Sequence, residues 1–305
     1  MILVTGGLGM IGAHTARALV DLGQEVVVTS HRQAEIPSFL DGKVTVESLD
    51  VTDAEAFLAL GKRHAVSDIV HLAGSIPEDP VSFFRKDLAG LLNALDAART
   101  WGVRRCAVAS SLGVYIGRSE IPWHEELDLP TVALPHLIVA FKKSVEPLTT
   151  HSLQGSGVQP VVLRIGSTWG PLMDPESPFN PIPPYISAVL RGEKPRPLYA
   201  AGGGDFCYSP DAGRAIALLM TTETLRHDTY NVSSGRPHTN RELADALEAI
   251  TPGLRLDVLP GRQDGPGDNP YLDIARLTHD TGFTPTFDVA KAVADYVAWR
   301  AENPR

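Results

Sequence analysis

A glycine-rich turn near the start of the chain restricts its possible folds more than any other feature. Residues 5–12 read Thr-Gly-Gly-Leu-Gly-Met-Ile-Gly and directly follow an apolar segment at residues 2–4. In such a turn Gly6 permits a sharp reversal, Gly9 lets the backbone approach a pyrophosphate, and Gly12 lets the next helix pack close to the strand. The N–H groups that open the helix favour an anion. The segment predicts a strand–turn–helix unit that binds a dinucleotide; a purely structural glycine turn is the alternative.

Short, almost entirely apolar runs alternate with segments of helical periodicity through the first half of the chain. The apolar runs occupy residues 2–4, 26–28, 44–46, 69–72, 107–109 and 161–163. The helical segments occupy residues 10–22, 53–62, 81–101 and 136–152. Runs this short and apolar are typical of parallel strands that are covered on both faces. The alternation predicts an α/β fold with a doubly wound parallel sheet.

The pattern changes after the last of these apolar runs. A Pro-rich segment at residues 170–184 is predicted to be a loop over a pocket. Beyond it we expect a short strand and three helices, at residues 230–232, 209–222, 239–250 and 287–301. We therefore assign residues 1–168 to a dinucleotide-binding domain. Residues 169–305 are assigned mainly to a small α/β substrate-binding lobe, some of whose segments return to the first domain.

Composition narrows the classes of partner. The net charge of −9 argues against a nucleic-acid surface, which is usually basic. No apolar run approaches the roughly 20 residues of a membrane span, and we predict no signal peptide because the chain enters a strand at once. Cys106 and Cys207 match no metal-ligand spacing and are typical of buried thiols in a reducing compartment. We expect a cytoplasmic protein that binds a small molecule and no metal, nucleic acid or membrane.

Several ordered motifs resemble those of the extended short-chain dehydrogenase/reductases, the group that contains sugar-nucleotide epimerases and dehydratases. Besides the glycine turn, the matching segments are Asp50-Val51, His71-Leu72-Ala73-Gly74, residues 110–115, residues 164–171 and residues 230–235. The resemblance implies a Rossmann fold, and a homodimer formed through the helices at 81–101 and 136–152. It also implies that the following residues bind a nicotinamide cofactor: Gly6, Gly9, Met10, Ile11, Asp50, Val51, Leu72, Ala73, Gly74, Ala109, Lys142 and Ile165.

The residues after the second strand bear on which dinucleotide is bound. In NAD-dependent relatives that strand ends in an acid, which accepts hydrogen bonds from the ribose 2′-OH. Here the strand is followed by Ser30, His31 and Arg32. An acid would repel a 2′-phosphate, whereas an arginine can bind it with two hydrogen bonds. We therefore predict NADP(H); a solvated loop without a role for Arg32 is the alternative.

One of the catalytic residues that the resemblance implies is missing from the sequence. Ser111 matches the catalytic hydroxyl of the family, and Lys142 matches the lysine of its Tyr-x-x-x-Lys motif, with Glu146 at the acidic position four residues later. The tyrosine position is then Ile138; if Lys143 is the lysine instead, it is Val139. No tyrosine occurs between residues 116 and 184 in either register. An aliphatic side chain cannot move a proton. Hydride transfer remains possible, with the proton supplied by water, by His136 or by a neighbouring hydroxyl of the substrate.

Residues expected to contact the substrate also depart from the family pattern. Sugar-nucleotide epimerases place arginines on the substrate diphosphate, and here glycines stand at both positions, Gly204 and Gly265. Arg262 or Arg214 can compensate for them. We predict instead an apolar and aromatic wall that includes Trp123, Trp169 and Tyr185. The family's asparagine in the helix at residues 81–101 is replaced by Asp87, a change whose effect the sequence does not reveal.

Three functions are consistent with these features. The favoured one is an NADPH-dependent ketoreductase of antibiotic biosynthesis that acts on a hydrophobic, polyketide-like ketone and resembles tyrosine-less polyketide ketoreductases. The first alternative is a sugar-nucleotide epimerase or dehydratase. The second alternative is a cofactor-binding protein that has lost catalysis; retention of both Ser111 and Lys142 argues against it.

Overall fold

Strands and helices alternate along the chain in the computed structural model, which describes residues 1–31, 35–75, 79–263 and 268–303. The strands are β1 (Ile2–Thr5), β2 (Val26–Ser30), β3 (Thr45–Ser48), β4 (Asp68–His71), β5 (Arg105–Ser111), β6 (Gln159–Ile165), β7 (Ser167–Trp169), β8 (Leu198–Tyr199), β9 (Gly203–Gly204), β10 (Phe206–Tyr208), β11 (Thr229–Val232), β12 (His238–Thr239) and β13 (Val258–Leu259). The helices are α1 (Met10–Asp21), α2 (Ala54–Arg63), α3 (Pro80–Trp101), α4 (Leu137–Leu153), α5 (Ile182–Leu190), α6 (Ser209–Thr221), α7 (Asn240–Ile250), α8 (Ala275–Thr281) and α9 (Val289–Glu302).

Seven strands form one parallel sheet in the order β3-β2-β1-β4-β5-β6-β11. The chain starts in the middle at β1, builds outward to β3, then returns through β4 to the opposite edge. The doubly wound α/β fold predicted from the sequence is therefore confirmed. In such a sheet the two directions of winding diverge between β1 and β4, and the carboxyl ends of these strands form a crevice that commonly binds a ligand.

Apolar side chains cover both faces of this sheet. Val4 and Val28 point to the face covered by α1 and α6, whereas Leu3 and Val27 point to the face covered by α2, α3 and α4. All four side chains are buried, which is why these strands read as continuous apolar runs rather than alternating ones. The two apolar layers hold the sheet rigidly beneath its carboxyl edge.

The chain beyond β6 forms a smaller apolar cluster of its own. Helices α5, α7 and α9 contribute Ile186, Leu247 and Tyr296 to it, and β7 contributes Trp169. Helix α5 begins inside the Pro-rich segment that the sequence suggested was a loop. Prolines are accommodated there because the first helical turn has no internal partner for their missing N–H groups.

Two segments of the second half return to the large sheet. Strand β11 pairs with β6, and α6 packs against α1, the helix that follows the glycine turn. The boundary between residues 168 and 169 remains a prediction. None of the helices in the described ranges combines the length and apolarity needed to cross a bilayer.

A buried arginine connects the sheet to the second half of the chain. Arg105, at the start of β5, is 2% exposed. Its guanidinium donates to the carbonyl oxygens of Leu219, Thr222 and Glu223 at the carboxyl end of α6, and to Gln159 Oε1 at 2.9 Å. The carbonyl groups that end a helix lack partners within it and attract positive charge. Arg105 on β5 therefore caps the carboxyl end of α6.

We expect Arg105→Met to lower the free energy of unfolding by about 2–4 kcal/mol, because the buried carbonyl oxygens at the end of α6 lose a charged donor. Equilibrium unfolding in urea measures the change. Arg191→Met is the matched control, since Arg191 forms its ion pairs with Glu176 and Glu193 at the exposed surface. Equal stability of the two variants would show that Arg105 does not anchor α6.

Candidate active site

The glycine turn places the amino end of α1 at the carboxyl edge of the sheet. Gly6 has a φ of +65°, and a Cβ there would lie 2.9 Å from the backbone nitrogen of Ala73. A Cβ on Gly12 would lie 2.2 Å from the carbonyl oxygen of Gly6. Both distances are shorter than a side chain tolerates, so these positions require glycine. The turn thus brings β1, α1 and the segment after β4 into close contact.

The amino end of α1 is suited to an anion. The N-cap residue is Gly9, and no side chain of the described residues caps the helix. The first-turn N–H groups, at Met10 and Ile11, therefore point from the helix end without a side-chain acceptor. Backbone donors and the helix dipole together favour a phosphate at this position.

The other predicted cofactor residues lie along the same edge. Leu72, Ala73 and Gly74 follow β4, Ala109 lies near the end of β5, and Ile165 ends β6. Because β1, β4, β5 and β6 are adjacent and parallel, their carboxyl ends meet on one side of the turn. The structure brings these residues together around one crevice; their contact with a cofactor stays a prediction.

The end of β2 lies beside the segment that follows β3. Ser30 pairs in register with Ser48, and His31 Nδ1 lies 3.7 Å from a carboxylate oxygen of Asp50. Hydrogen bonds from the backbone and side chain of Thr52 hold the pKa of Asp50 below its usual value. Arg32, on which the prediction of NADP(H) chiefly depends, lies outside the described residues. Ser30, His31 and Asp50 thus lie close together at one end of the crevice, and Val51 follows.

The two predicted catalytic residues lie at the other end of the crevice. Ser111 ends β5, and its Oγ accepts a hydrogen bond from the N–H of Gly113 at 3.1 Å. Lys142, on α4, donates from Nζ to the carbonyl oxygen of Ala109 at 2.7 Å. Val139, one turn before Lys142, lies against Gly113. The first turns of α4 and the end of β5 are therefore in contact, which places the amine and the hydroxyl near the same space.

Burial gives Lys142 unusual acid–base properties. Removal from solvent lowers the pKa of its amine to about 8, and the carboxylate of Asp87 opposes part of that change. The amine of Lys142 is therefore easier to deprotonate than that of a solvent-exposed lysine.

No tyrosine takes the place of Ile138. Ile138 is half-buried on α4 and packs against the apolar cluster of α2, α3 and α4. Tyr115 is near in sequence, but its hydroxyl donates to Asn231 Oδ1 at 2.9 Å and accepts from Arg164 at 2.7 Å. Burial raises the pKa of Tyr115 to about 12. His136 is exposed as the N-cap residue of α4.

A buried ion pair fixes α4 one turn beyond Lys142. Arg164 donates to both carboxylate oxygens of Glu146, at 2.9 and 2.7 Å, and Ser110 donates to the same carboxylate at 2.7 Å. Arg164 also donates to Tyr115, which in turn donates to Asn231 on β11. The network was not predicted; the one signal for it was an acid four residues after the lysine. It ties the helix that carries Lys142 to three strands.

The aromatic residues predicted to bind substrate are largely enclosed by the protein. Trp123 is 6% exposed and stacks on Tyr115, with ring centroids 5.6 Å apart. Trp169 is 2% exposed and Tyr185 is 5% exposed within the cluster of α5, α7 and α9. Little of their surface is left for a ligand. Their role in substrate binding stays a prediction, and packing accounts for each of them.

One arginine lies beside the glycine segment where the family places a cation. Arg262 donates to Asn269 Oδ1 at 2.7 Å, and Asn269 donates to the carbonyl oxygens of Ala201 and His238. Because β12, which begins at His238, pairs with β9, this arrangement sets the guanidinium next to Gly203–Gly204. Arg214, by contrast, belongs to α6, and its guanidinium lies over the ring of Phe283. Gly265 lies outside the described residues.

The described part of the chain contains no cluster of three or more His, Cys, Asp or Glu side chains that could hold a metal ion. The homodimer implied by the resemblance stays a prediction.

Comparison with known proteins assigns this architecture to a family. The family model described as "NAD dependent epimerase/dehydratase family" matches residues 2–233. A UDP-glucose 4-epimerase from Mus musculus is 24% identical over 99% of this chain and 97% of its own length. One from Neisseria gonorrhoeae is 25% identical over 99% of this chain and 98% of its own.

Solved structures give the same result for the fold. UDP-glucose-4-epimerase from Stenotrophomonas maltophila, with bound NAD and formylated UDP-arabinopyranose, superimposes with a TM-score of 0.83 at 23% identity, covering 99% of this chain and 98% of the other. UDP-glucose 4-epimerase from Thermotoga maritima, with UDP-glucose, gives a TM-score of 0.81 at 23% identity, covering 100% and 99%.

These relatives correct the favoured interpretation of the sequence. The prediction of a polyketide-type ketoreductase of antibiotic biosynthesis is wrong, because the matching relatives are UDP-sugar 4-epimerases over almost the whole chain. That prediction gave three local departures, at Ile138, Gly204 and the end of β2, more weight than a similarity spread across both halves. The sugar-nucleotide alternative fits the relatives better.

Proposed function

The chain belongs to the NAD dependent epimerase/dehydratase family, and from that premise we propose that it oxidises and reduces a nucleotide-linked sugar with a bound nicotinamide dinucleotide. The observation that carries the proposal is the placement of Ser111 and a buried Lys142 along the same sheet edge as a glycine turn suited to a pyrophosphate. Full-length similarity to UDP-sugar 4-epimerases supports the substrate class.

The residues around the crevice fit a dinucleotide. The capless amino end of α1 suits the pyrophosphate, the Ser30–Asp50 end suits the adenosine, and Ala109, Lys142 and Ile165 lie where the nicotinamide end would be held. When bound, the nicotinamide accepts or returns a hydride at a sugar carbon. The protein must then handle the proton of the hydroxyl on that carbon.

Lys142 is the group proposed to handle this proton. With the nicotinamide bound, the neutral Nζ would accept the hydroxyl proton as the sugar carbon is oxidised. The resulting ammonium would return that proton to the oxygen as the carbonyl is reduced. Ser111 Oγ is placed to donate a hydrogen bond to that oxygen in both directions. Return of the hydride to the opposite face of the carbonyl would give the epimer.

Arg262 is proposed as the cation for the substrate diphosphate. Asn269 fixes its guanidinium beside the glycines of β9, where the family's arginine is missing. A guanidinium can hold a diphosphate with two parallel hydrogen bonds. One cation from the lobe thus partly compensates for the glycines in the family positions.

The central prediction concerns turnover. We expect the protein with NAD⁺ or NADP⁺ to interconvert UDP-glucose and its C4 epimer, with kcat rising as pH increases through about 8 because the neutral amine is the active form. Lys142→Met should reduce kcat at least about 100-fold. The products are quantified by chromatography.

Lys143→Met is the matched control for this test. The Lys143 amine donates to carbonyl oxygens of Pro130 and Ala133, not to β5, and its variant should keep turnover. Binding of cofactor without conversion of any UDP-sugar would favour the alternative of a protein that has lost catalysis. A kcat that falls as pH rises would contradict a role for the neutral amine.

Restoring the family's phenol tests whether the proton acceptor limits the reaction. We expect Ile138→Tyr to raise kcat at least about tenfold, since a positioned general base contributes by factors of this size or larger. Ile138→Phe has nearly the same size without the hydroxyl and should give no increase. Stopped-time assays of both variants at pH 7 provide the comparison. Equal rates would mean that proton transfer is not limiting.

The choice of dinucleotide is a separate prediction. The solved relatives include complexes with NAD, whereas the absence of an acid among Ser30, His31 and Arg32 in the sequence favours NADP(H). We expect NADPH to bind more tightly than NADH by isothermal titration calorimetry, and Arg32→Asp to reverse the order. Equal affinities in the wild type, or no effect of the substitution, would exclude the preference.

A further inference from the structure

A side-chain amide connects α3 to the segment that follows β3. Asn93 is half-buried on α3, and its Nδ2 donates to the carbonyl oxygen of Val51 at 2.9 Å. The two residues are 42 positions apart in the chain. The acceptor is a backbone group, so the hydrogen bond fixes the path of the chain at Val51.

Gly90 brings the same helix against the Val51 side chain. A Cβ on Gly90 would lie 2.9 Å from Val51 Cγ2. This is shorter than a side chain tolerates, and a β-branched valine has little freedom to rotate away. Gly90 lies one turn before Asn93 on the same side of the helix. Van der Waals contact and a hydrogen bond thus hold Val51 from two adjacent points of α3.

The residues around Val51 form a compact turn at 50–53. The Asp50 carboxylate accepts from the N–H and the Oγ1 of Thr52, at 2.9 and 2.8 Å, and the Asp53 N–H donates to the Asp50 carbonyl oxygen at 3.0 Å. Asp53 then caps α2 by accepting from the Ala56 N–H at 2.9 Å. Because these bonds join the turn to itself and to α2, the Asn93 amide is what attaches it to α3.

This turn borders the adenosine end of the crevice. A dinucleotide whose pyrophosphate lies at the amino end of α1 places its adenosine ribose at the end of β2. The Leu49 N–H donates to the Ser30 carbonyl oxygen at 3.1 Å, and His31 Nδ1 lies 3.7 Å from the Asp50 carboxylate. The 50–53 turn therefore lies directly beside the end of β2. A shift of the turn would change the shape of the adenosine end.

We propose that Asn93 is a positioning residue for the dinucleotide: by holding the Val51 carbonyl group it fixes the 50–53 turn as a wall of the adenosine end. The inference rests on the proposed function, which requires a bound dinucleotide. A wall that is already ordered before the ligand arrives lowers the cost of ordering it on binding. Asn93 thus raises affinity from behind the wall.

Asn93→Ala tests the inference through affinity. The substitution removes the amide donor, and alanine favours a helix more than asparagine does, so α3 is retained. We expect the Kd of the preferred dinucleotide, NADPH or NADH, to rise about three- to tenfold, the range of one net hydrogen bond. ADP-ribose, or its 2′-phosphate if NADPH is preferred, should show the same factor, because it carries the adenosine half. Isothermal titration calorimetry measures both.

Hydrogen exchange gives a second readout without any cofactor. In the free protein, Asn93→Ala should speed the exchange of the amides at residues 50–53, measured by mass spectrometry, and leave the rest of α3 as protected as in the wild type. Gly90→Ala acts on the same wall by a different route, because its new Cβ displaces Val51 while the Asn93 donor remains. It should also weaken the binding of ADP-ribose.

Asp96→Ala is the matched control. Asp96 is exposed on α3, three residues after Asn93, and its truncation should change neither the affinity nor the exchange. Unchanged ADP-ribose affinity or unchanged exchange in Asn93→Ala would overturn the inference, as would an equal loss in Asp96→Ala, while the proposed function would stand. A wild type that binds neither NADPH nor NADH would instead overturn the proposed function and, with it, the role of Asn93 in affinity.

Discussion

The ion pair between Glu146 and Arg164 is the interaction on which the site depends. It is buried, and each partner has further hydrogen bonds, to Ser110 and Tyr115. Taking two charges out of water is costly, and only a well-bonded pair repays that cost. The pair fixes the position of α4 against β5 and β6. Lys142 lies one turn earlier, so the same contact that fixes the helix also fixes the amine.

The two ends of the crevice are formed by different kinds of group. At the turn end, backbone N–H groups and glycines create the site, and their positions follow from steric limits alone. At the α4 end, side-chain charges create it, and their properties follow from burial. A change of side chain at Ile138 therefore alters the chemistry while leaving the cofactor end intact. This explains how a chain can retain the whole architecture of its family and yet lack one catalytic group.

The sequence predicted the fold well because its signals are local. Apolar runs mark six of the seven strands of the sheet, and a glycine turn marks the first crossover, so neither depends on distant residues. The seventh strand, β11, was predicted only as a short strand of the second half. Contacts that join remote segments were not predicted: three partners of Arg105 lie 114–118 residues away, and Ser75, which donates to Asp87, lies 12 residues before it. The start of α5 was missed because prolines look like loop residues but are equally suited to a first helical turn. The predicted function was wrong because departures at single positions, such as Ile138 and Gly204, say less about function than a similarity that spans almost the whole chain.

Arg105 affects when its part of the sheet can be completed during synthesis of the chain. During synthesis β5 emerges long before α6, and domains usually fold from the amino end as they appear. Until residues 219–223 leave the ribosome, the guanidinium of Arg105 has none of its three carbonyl partners from α6, and β6 has no β11 to cover its edge. A nascent chain that ends near residue 168 would thus have to keep Arg105 in water. The buried environment of Arg105 is therefore complete only when both halves of the chain are present.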